Sequence, residues 1–504
     1  MDFKPTDEQL KIFKFLRKRP ENLLIEAYAG AGKTTTLIEA AKLLPQDKKI
    51  LFLAFNKHIQ LELKEKLPEH IRCYTSHGLG LAAIKRKHPT SKLDEFKIDK
   101  IIKKLSKKWD LMKEFDGRYD KVINYQNDMK KLANLCRLSL TTTDKYIPYL
   151  AERYDVRIFP NRDIKRIKKI LDISTKDRQT FDFCDMVYLP AIDNSLFLFP
   201  QDYVIVDECQ DINRAQQRII EKSLRKDKIS KKVIGRLIAI GDGFQSIYGF
   251  TGIMDKTFDW FKKYNNTKTL PLSYSFRCAK NIIEHANTIV PGIKALSDAP
   301  DGVVRDGDVL LEARSEDFIL CRTVKPLIKL FFQFLEMDRK ATIKGSDIGL
   351  DLINMIGKIK SIGKLNDHWS NEVIKYKNDL KKQGILNHAD DNGYTILADK
   401  VDTLLFLAEK SVSIDELKKR ISTIFTEDVE GIVLSTVHKA KGLEADRVFI
   451  IRPDKLPLPN KKPWQAMQEQ NLHYVAITRA KTELIYDRTW SDETIDGTDD
   501  LDLL

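Results

Sequence analysis

At 504 residues the chain is too long for one compact core, so several domains are expected. Its 42% hydrophobic and 32% charged residues suit a soluble globular protein; the lack of a bilayer-length apolar run, and of a signal-peptide pattern at Met1-Asp2-Phe3-Lys4, gives a cytoplasmic expectation, nuclear in a eukaryote or host-cytoplasmic if phage-encoded. The six cysteines (Cys73, Cys136, Cys184, Cys209, Cys278, Cys321) are scattered without a C-x-x-C pair or a His at metal spacing, which argues against structural zinc, an iron–sulfur cluster or a disulfide framework.

The chain opens its chemistry early. An apolar strand at 22–26 runs into Ala27-Tyr28-Ala29-Gly30-Ala31-Gly32-Lys33-Thr34, followed by a helix over 35–42. Small residues there let backbone N–H groups turn inward at a helix N-terminus, the requirement for cradling a triphosphate. Lys33 adds a point charge for the β/γ-phosphates and Thr34 a hydroxyl for Mg²⁺. A second strand is expected at 49–54. From Lys85 to Thr180 there are 26 Lys and Arg against 14 Asp and Glu, so this one segment holds nearly all of the +13 net charge. Runs such as Lys103-Lys104-Leu105-Ser106-Lys107-Lys108 keep apolar residues at helical spacing, which predicts helices with one basic face and points to a phosphate-backbone surface.

Strands follow at 202–206 and 236–240. The first delivers Asp207-Glu208 at its C-terminal end, where a nucleotide site takes one carboxylate for Mg²⁺ and a neighbour to orient and deprotonate water. Further strands at 318–321, 431–434 and 447–451, interrupted by a mostly helical stretch over 356–428, predict a second unit. The fold class is therefore α/β, two parallel-sheet units with mostly helical insertions. The residues 491–504 are acidic and short of core residues, as in a disordered tail.

The wording of these segments resembles that of the UvrD/PcrA/Rep-type superfamily 1A DNA helicases, from about Asp7 to Tyr486. Thr6-Asp7-Glu8-Gln9, Thr75-Ser76-His77-Gly78, Asp207-Glu208-Cys209-Gln210 and Ile240-Gly241-Asp242-Gly243-Phe244-Gln245-Ser246-Ile247-Tyr248-Gly249-Phe250 stand in the family's order. So do Leu272-Ser273-Tyr274-Ser275-Phe276-Arg277, the segment from Leu434 through Thr436-Val437-His438 to Glu444, and Tyr474-Val475-Ala476-Ile477-Thr478-Arg479-Ala480-Lys481. Tyr28–Leu37, Ala54-Phe55-Asn56-Lys57 and Ser275-Phe276-Arg277 are nearest the F-box DNA helicase branch, although no F-box segment is apparent. The resemblance implies two RecA-like P-loop NTPase domains: 1A at 1–84 and 181–265, and 2A at 266–355 and 429–490. A basic insertion 1B is expected at 85–180, a reduced 2B-like insertion at 356–428 and the acidic tail from 491.

It further implies ATP and Mg²⁺ as cofactors. The expected catalytic set is Lys33, Asp207, Glu208, the γ-phosphate sensor Gln245, and arginine fingers Arg277 and Arg479. Arg277 and Arg479 lie in the second unit and the carboxylates in the first, so domain closure would assemble the site. Nucleotide contacts are expected from Gln9 (adenine), Ala27, Gly30, Ala31, Gly32, Lys33, Thr34, Thr35, Phe276 (stacking) and Glu444 (ribose). Thr34 and Asp207 would hold the metal. Phe55, Asn56, Thr75, His77, Tyr248, Phe250, Thr436 and His438 would meet nucleic acid, aromatic faces suiting bases of any sequence.

Thr35 stands where UvrD and Rep carry Arg, and Thr251 where Arg often follows the coupling motif. The activity implied is 3′→5′ translocation on single-stranded DNA with unwinding of single-strand/duplex junctions in replication, recombination or repair. The expected protein is a monomer or weak oligomer, free of membrane, that meets replication or recombination proteins. Alternatives are a translocase that strips recombinase filaments, and an ATPase or nucleic-acid-binding subunit of a larger complex.

Overall fold

The computed structural model describes residues 3–249, 257–382, 392–426, 431–460 and 462–489. Internal contacts divide the chain into two units. The first comprises residues up to Ala27 and Gly32–Leu272, the second Tyr28–Ala31 and the residues from Ser273 on.

The first unit begins with α1 (Asp7–Lys18), β1 (Asn22–Ala27), α2 (Lys33–Lys42), β2 (Ile50–Ala54), α3 (Lys57–Lys66), β3 (Ile71–Thr75) and α4 (Ser76–Lys87). The helices α5 (Lys97–Lys108), α6 (Tyr119–Ser139), α7 (Tyr146–Arg153), α8 (Pro160–Lys176) and α9 (Asp185–Ile192) intervene before β4 (Tyr203–Val206), α10 (Arg214–Ser223), β5 (Arg236–Gly241), α11 (Thr257–Lys263) and β6 (Thr267–Leu272). The six strands form one sheet in the order β3-β2-β4-β5-β1-β6, every ladder parallel. Such a sheet is covered on both faces, and that is why β2, and β5 from Leu237 on, read as unbroken apolar runs and are buried at every position. Leu24 and Ile25 of β1 are fully buried, each such side chain worth about 1.5–3 kcal/mol over exposure.

The boundary expected between 265 and 266 differs from the structure. β6 pairs with β1, Leu270 opposite Ile25, so the first unit runs to Leu272 and the second does not begin at 266. The strand escapes a sequence reading because it sits at the sheet edge, alternates Thr, Lys and Leu, and carries Pro271, which only an edge tolerates well.

The basic segment is helical, as its periodicity predicts. In α5 the residues Ile98, Ile102 and Leu105 are buried while Lys103, Lys104, Lys107 and Lys108 face solvent. Its base is closed by a two-residue parallel pairing, Lys92 with Thr180 and Leu93 with Phe181. The start expected at 85 lies inside α4, which runs on to Lys87. A buried ionic cluster anchors it: Arg137 of α6 donates to Asp182 and Asp185 at 2.8 and 2.9 Å, and Lys97 Nζ lies 2.7 Å from Asp185. Removing either cation would leave a buried carboxylate short of charge, a loss of about 3–5 kcal/mol.

The second unit carries α12 (Lys280–Asn287), β7 (Val303–Asp306), β8 (Phe318–Cys321), α13 (Lys325–Glu336), β9 (Ala341–Lys344), α14 (Ser346–Ile356), α15 (Ile362–Lys382), α16 (Asn392–Glu409), α17 (Ile414–Ile424) and β10 (Phe425–Thr426). It continues with β11 (Ile432–Thr436), β12 (Ala445–Ile451), α18 (Pro463–Ile477) and β13 (Ala480–Asp487). Its sheet is again parallel, in the order β7-β13-β12-β8-β11-β9-β10. The helical stretch expected as an insertion does not form a core of its own among the described residues. Leu365, Leu404, Leu407, Leu417 and Ile421 join Ile319, Leu434 and Phe449 in one apolar cluster.

Candidate nucleotide and nucleic-acid sites

The phosphate-type turn joins β1 to α2 at the C-terminal edge of the first sheet. Gly30 and Gly32 sit at φ +69° and +72°, left-handed values that favour glycine, and Gly32 occupies the N-cap of α2 without a capping side chain. The first N–H groups of α2 are thereby presented at a positive helix end. Ala27 and Ala31 are buried and Thr35 is exposed. Gln9 lies buried beside this turn with its amide engaged. It accepts from Thr6 N at 2.9 Å in the capping box of α1 and donates to Thr36 Oγ1 at 2.9 Å, so reading a base would require it to exchange those bonds.

β4 delivers the acidic pair beside that turn. Lys33 Nζ is 3.5 Å from Glu208 Oε1. Asp207 is 2% exposed, and burial, then its neighbour Glu208, push its carboxyl up to about 7 against the pull of Lys33 and a hydrogen bond from Thr34. A desolvated carboxylate bonded to a hydroxyl beside a phosphate-type turn is a donor set that fits a hard cation. Among the described residues no group of three or more His, Cys, Asp or Glu could hold a metal, so an ion here would share the hydroxyl, one carboxylate and phosphate oxygens. Glu208 itself adopts φ +47°, an uncommon value for a residue with a side chain, followed by a tight turn over Cys209–Asp211.

At the same sheet edge β2 and β3 lie side by side, and each runs straight into a helix. Asn56 Oδ1 accepts from Ile59 N at 2.9 Å and Thr75 Oγ1 from Gly78 N at 3.0 Å, so both expected nucleic-acid residues serve as N-caps. Two helix N-termini on neighbouring strands make a surface suited to phosphates. Next to it Phe55, 38% exposed, stacks on Tyr248 with centroids 6.2 Å apart and planes inclined by 16°. His77 is exposed, Gln245 is buried, and Phe250 and Thr251 lie outside the described residues.

The second unit holds its cations in close pairs. Arg277 Nε is 2.5 Å from Glu444 Oε2 and its Nη1 donates to Thr478 O at 3.1 Å, while Lys481 lies 3.2 Å from Glu444 Oε1. Burial would raise the Glu444 carboxyl, but Arg277 and Lys481 outweigh it and hold it below its ordinary value. Arg479 is 1% exposed and bonded to Val475 O at 2.9 Å, Leu443 O at 3.0 Å and Thr478 Oγ1 at 3.2 Å. Burial, then the nearby Arg277, lower its guanidinium to about 9. Phe276 is 48% exposed. Thr436 is buried at the end of β11, and burial with Arg322 and Lys439 lowers His438 to about 3, so it is neutral near pH 7.

Gln210 and the Arg322–Glu469 pair, all buried, received no role from the sequence. Gln210 bridges the acidic pair to the end of β5, and Arg322 pairs with Glu469 of α18 at 2.6 Å. The signal available was a Gln two residues after an acidic pair; its partner, 32 residues on, is a tertiary fact.

Residues 6–265 match the UvrD/REP helicase N-terminal domain, and residues 385–489 the UvrD-like helicase C-terminal domain. The chain is similar to F-box DNA helicase protein 1 of Schizosaccharomyces pombe, 27% identical over 96% of this chain and 57% of that protein. It is similar to F-box DNA helicase 1 of Gallus gallus at 25% over 96% of this chain and 49% of that protein. With the ATP-dependent DNA helicase Rep of Buchnera aphidicola it shares 22% over 92% of this chain and 90% of that protein. The chain thus spans about half the length of the F-box DNA helicases it matches.

Proposed function

The chain belongs to the UvrD/REP helicase family, and from that premise we propose that it is an ATP-dependent motor on single-stranded DNA that moves 3′→5′ and separates duplex ahead of it. The observation that carries this reading is the meeting of Lys33, Thr34, Asp207 and Glu208 at one sheet edge, with the stacked Phe55 and Tyr248 on the same unit. Lys33 and the α2 N-terminus would bind the β/γ-phosphates of ATP, and Thr34 with Asp207 would hold Mg²⁺. When bound, the ion offsets charge on the phosphate oxygens. Glu208 orients water and takes its proton. Arg277 and Arg479 would steady the γ-phosphoryl charge on release from Glu444 and the backbone carbonyls. The bases stack on Phe55 and Tyr248 while the phosphates lie over the N-termini of α3 and α4.

Strand displacement on 3′-tailed and 5′-tailed duplexes, with DNA and RNA loading strands, tests the reading. ATP-dependent opening of the 3′-tailed DNA alone is expected; opening of the 5′-tailed substrate alone would reverse the direction. A second reading, a translocase that strips bound protein and unwinds little, draws support from the helices α15–α17 that share the second unit's core. Stripping of a recombinase filament without strand displacement would favour it.

A further inference from the structure

Gln210 sits 2% exposed at the turn after the acidic pair, and both ends of its amide are engaged. Its Nε2 donates to Glu208 Oε2 at 2.5 Å, while its Oε1 accepts the main-chain N–H of Asp242 at 3.0 Å. Asp242 in turn begins the tight turn Gly243–Gln245: its side chain accepts from Phe244 N at 3.0 Å, and its carbonyl accepts from Gln245 N at 3.0 Å. Three residues beyond Gln245 comes Tyr248, stacked on Phe55. One amide therefore spans the gap between the Glu208 carboxylate and the segment that carries both Gln245 and an aromatic of the nucleic-acid face.

Gly241 supplies an independent observation. A Cβ built there would lie 2.4 Å from Gln210 Oε1 and 2.8 Å from Cys209 Sγ, closer than real Cβ atoms come. β5 thus ends in the one residue that leaves room for the Gln210 amide. The other carboxylate oxygen, Glu208 Oε1, faces Lys33 at 3.5 Å, so the carboxylate is held from two sides.

We propose that Gln210 is a positioning residue that fixes the Glu208 carboxylate and links its state to the Asp242–Gln245 turn, so that hydrolysis is transmitted toward the nucleic-acid face. The link is a hydrogen-bond relay in which no covalent bond changes. A charge-assisted bond to Glu208 is one of the stronger neutral-donor contacts available in a protein, and the bond to Asp242 N–H satisfies a buried donor that would otherwise be costly. The inference rests on the reading of Glu208 as the water-orienting group.

The test uses the full chain with Gln210→Ala, Gln210→Glu and Gly241→Ala, folding being followed by circular dichroism and melting temperature. Amide hydrogen exchange at Asp242 reads the bridge without any activity. Exchange should rise at least tenfold in Gln210→Ala and stay slow in Gln210→Glu, which keeps the acceptor. ATP turnover reads the consequence. In all three variants kcat with single-stranded DNA should fall at least tenfold while KM for ATP stays within twofold, and ATP consumed per nucleotide translocated should rise. Added to Glu208→Gln, Gln210→Ala should cost nothing more, the non-additivity expected of groups in one relay. Equal exchange at Asp242 in wild type and Gln210→Ala would overturn the bridge. Lost protection with unchanged kcat and unchanged stoichiometry would overturn its positioning role. A wild type that hydrolyses no ATP would instead sink the proposed function, while the exchange measurement still decides whether Gln210 joins the two segments.

Discussion

The two units hold their charged groups in opposite ways. In the first, Lys33 stands 3.5 Å from Glu208 and Asp207 is pushed up to about 7, so charge is held apart and under-compensated at a helix N-terminus. In the second, Arg277 and Lys481 close on Glu444, and Arg479 is bonded to main-chain oxygens deep in the unit. On the proposed function the first arrangement would take a polyanion with its cation. The second holds its cations in bonds already made, so moving any of them costs a contact.

The contrast breaks first if the stored arginines are idle. Arg277→Ala should lower DNA-stimulated ATP turnover by about 10³-fold, the usual worth of an arginine supplied to a phosphoryl group, with single-strand affinity measured without ATP nearly unchanged. Equal turnover in variant and wild type would end the assignment. Lys33→Ala should cost about 10²–10³-fold in turnover, as for loss of one electrostatic stabiliser. Fluorescence anisotropy should show DNA binding retained, because the lost charge belongs to the phosphate turn and not to the Phe55–Tyr248 surface.

Cations without a carboxylate partner sharpen the comparison further. Lys103, Lys104, Lys107 and Lys108 of α5 are exposed, and no ion pair joins them to a carboxylate among the described residues. Neutralising all four should flatten the slope of log affinity against log salt on a tailed duplex by about 3, at roughly 0.7–0.9 per phosphate contact. Slopes that overlay would mark them as a solubilising face.

The smallest effect concerns His438. Its folded value of about 3 lies below the ordinary 6.5, so the unfolded chain binds the proton more readily. Its contribution to stability is complete above about pH 6.5 and lost as pH falls toward 3. His438→Gln should therefore lose less melting temperature than wild type between pH 7.5 and pH 5; an equal loss in both would place the acid sensitivity elsewhere.

Strands buried on both faces were readable from the chain, because a parallel sheet between helices demands continuous apolar residues: β1, β2, β4 and β5 fall within a residue of where such runs stand. β3 and β6 were not, since each edge strand is half wet and alternates or carries proline. The nucleotide residues were legible as types at fixed spacing. Their present partners were not, because nothing local in Arg479 says that its guanidinium meets Leu443 O, 36 residues away. Asn56 and Thr75 illustrate the same limit: residue type suits both a helix cap and a phosphate contact, and only the fold shows which atoms are engaged.

The pairing of Lys92–Leu93 with Thr180–Phe181 brings the two stems of the basic insertion to neighbouring-strand distance, about 4.8 Å. Such a stem behaves as a splice junction. A chain entering and leaving a domain through adjacent strands can gain, lose or exchange everything between them without rethreading the sheet beneath. The graft carries one obligation, for Asp182 and Asp185 lie outside the loop while their counter-charges, Lys97 and Arg137, lie inside it. Any replacement cassette must bring two cations to the same place, and a pair of carboxylates left behind in the host would be the scar of one that did not.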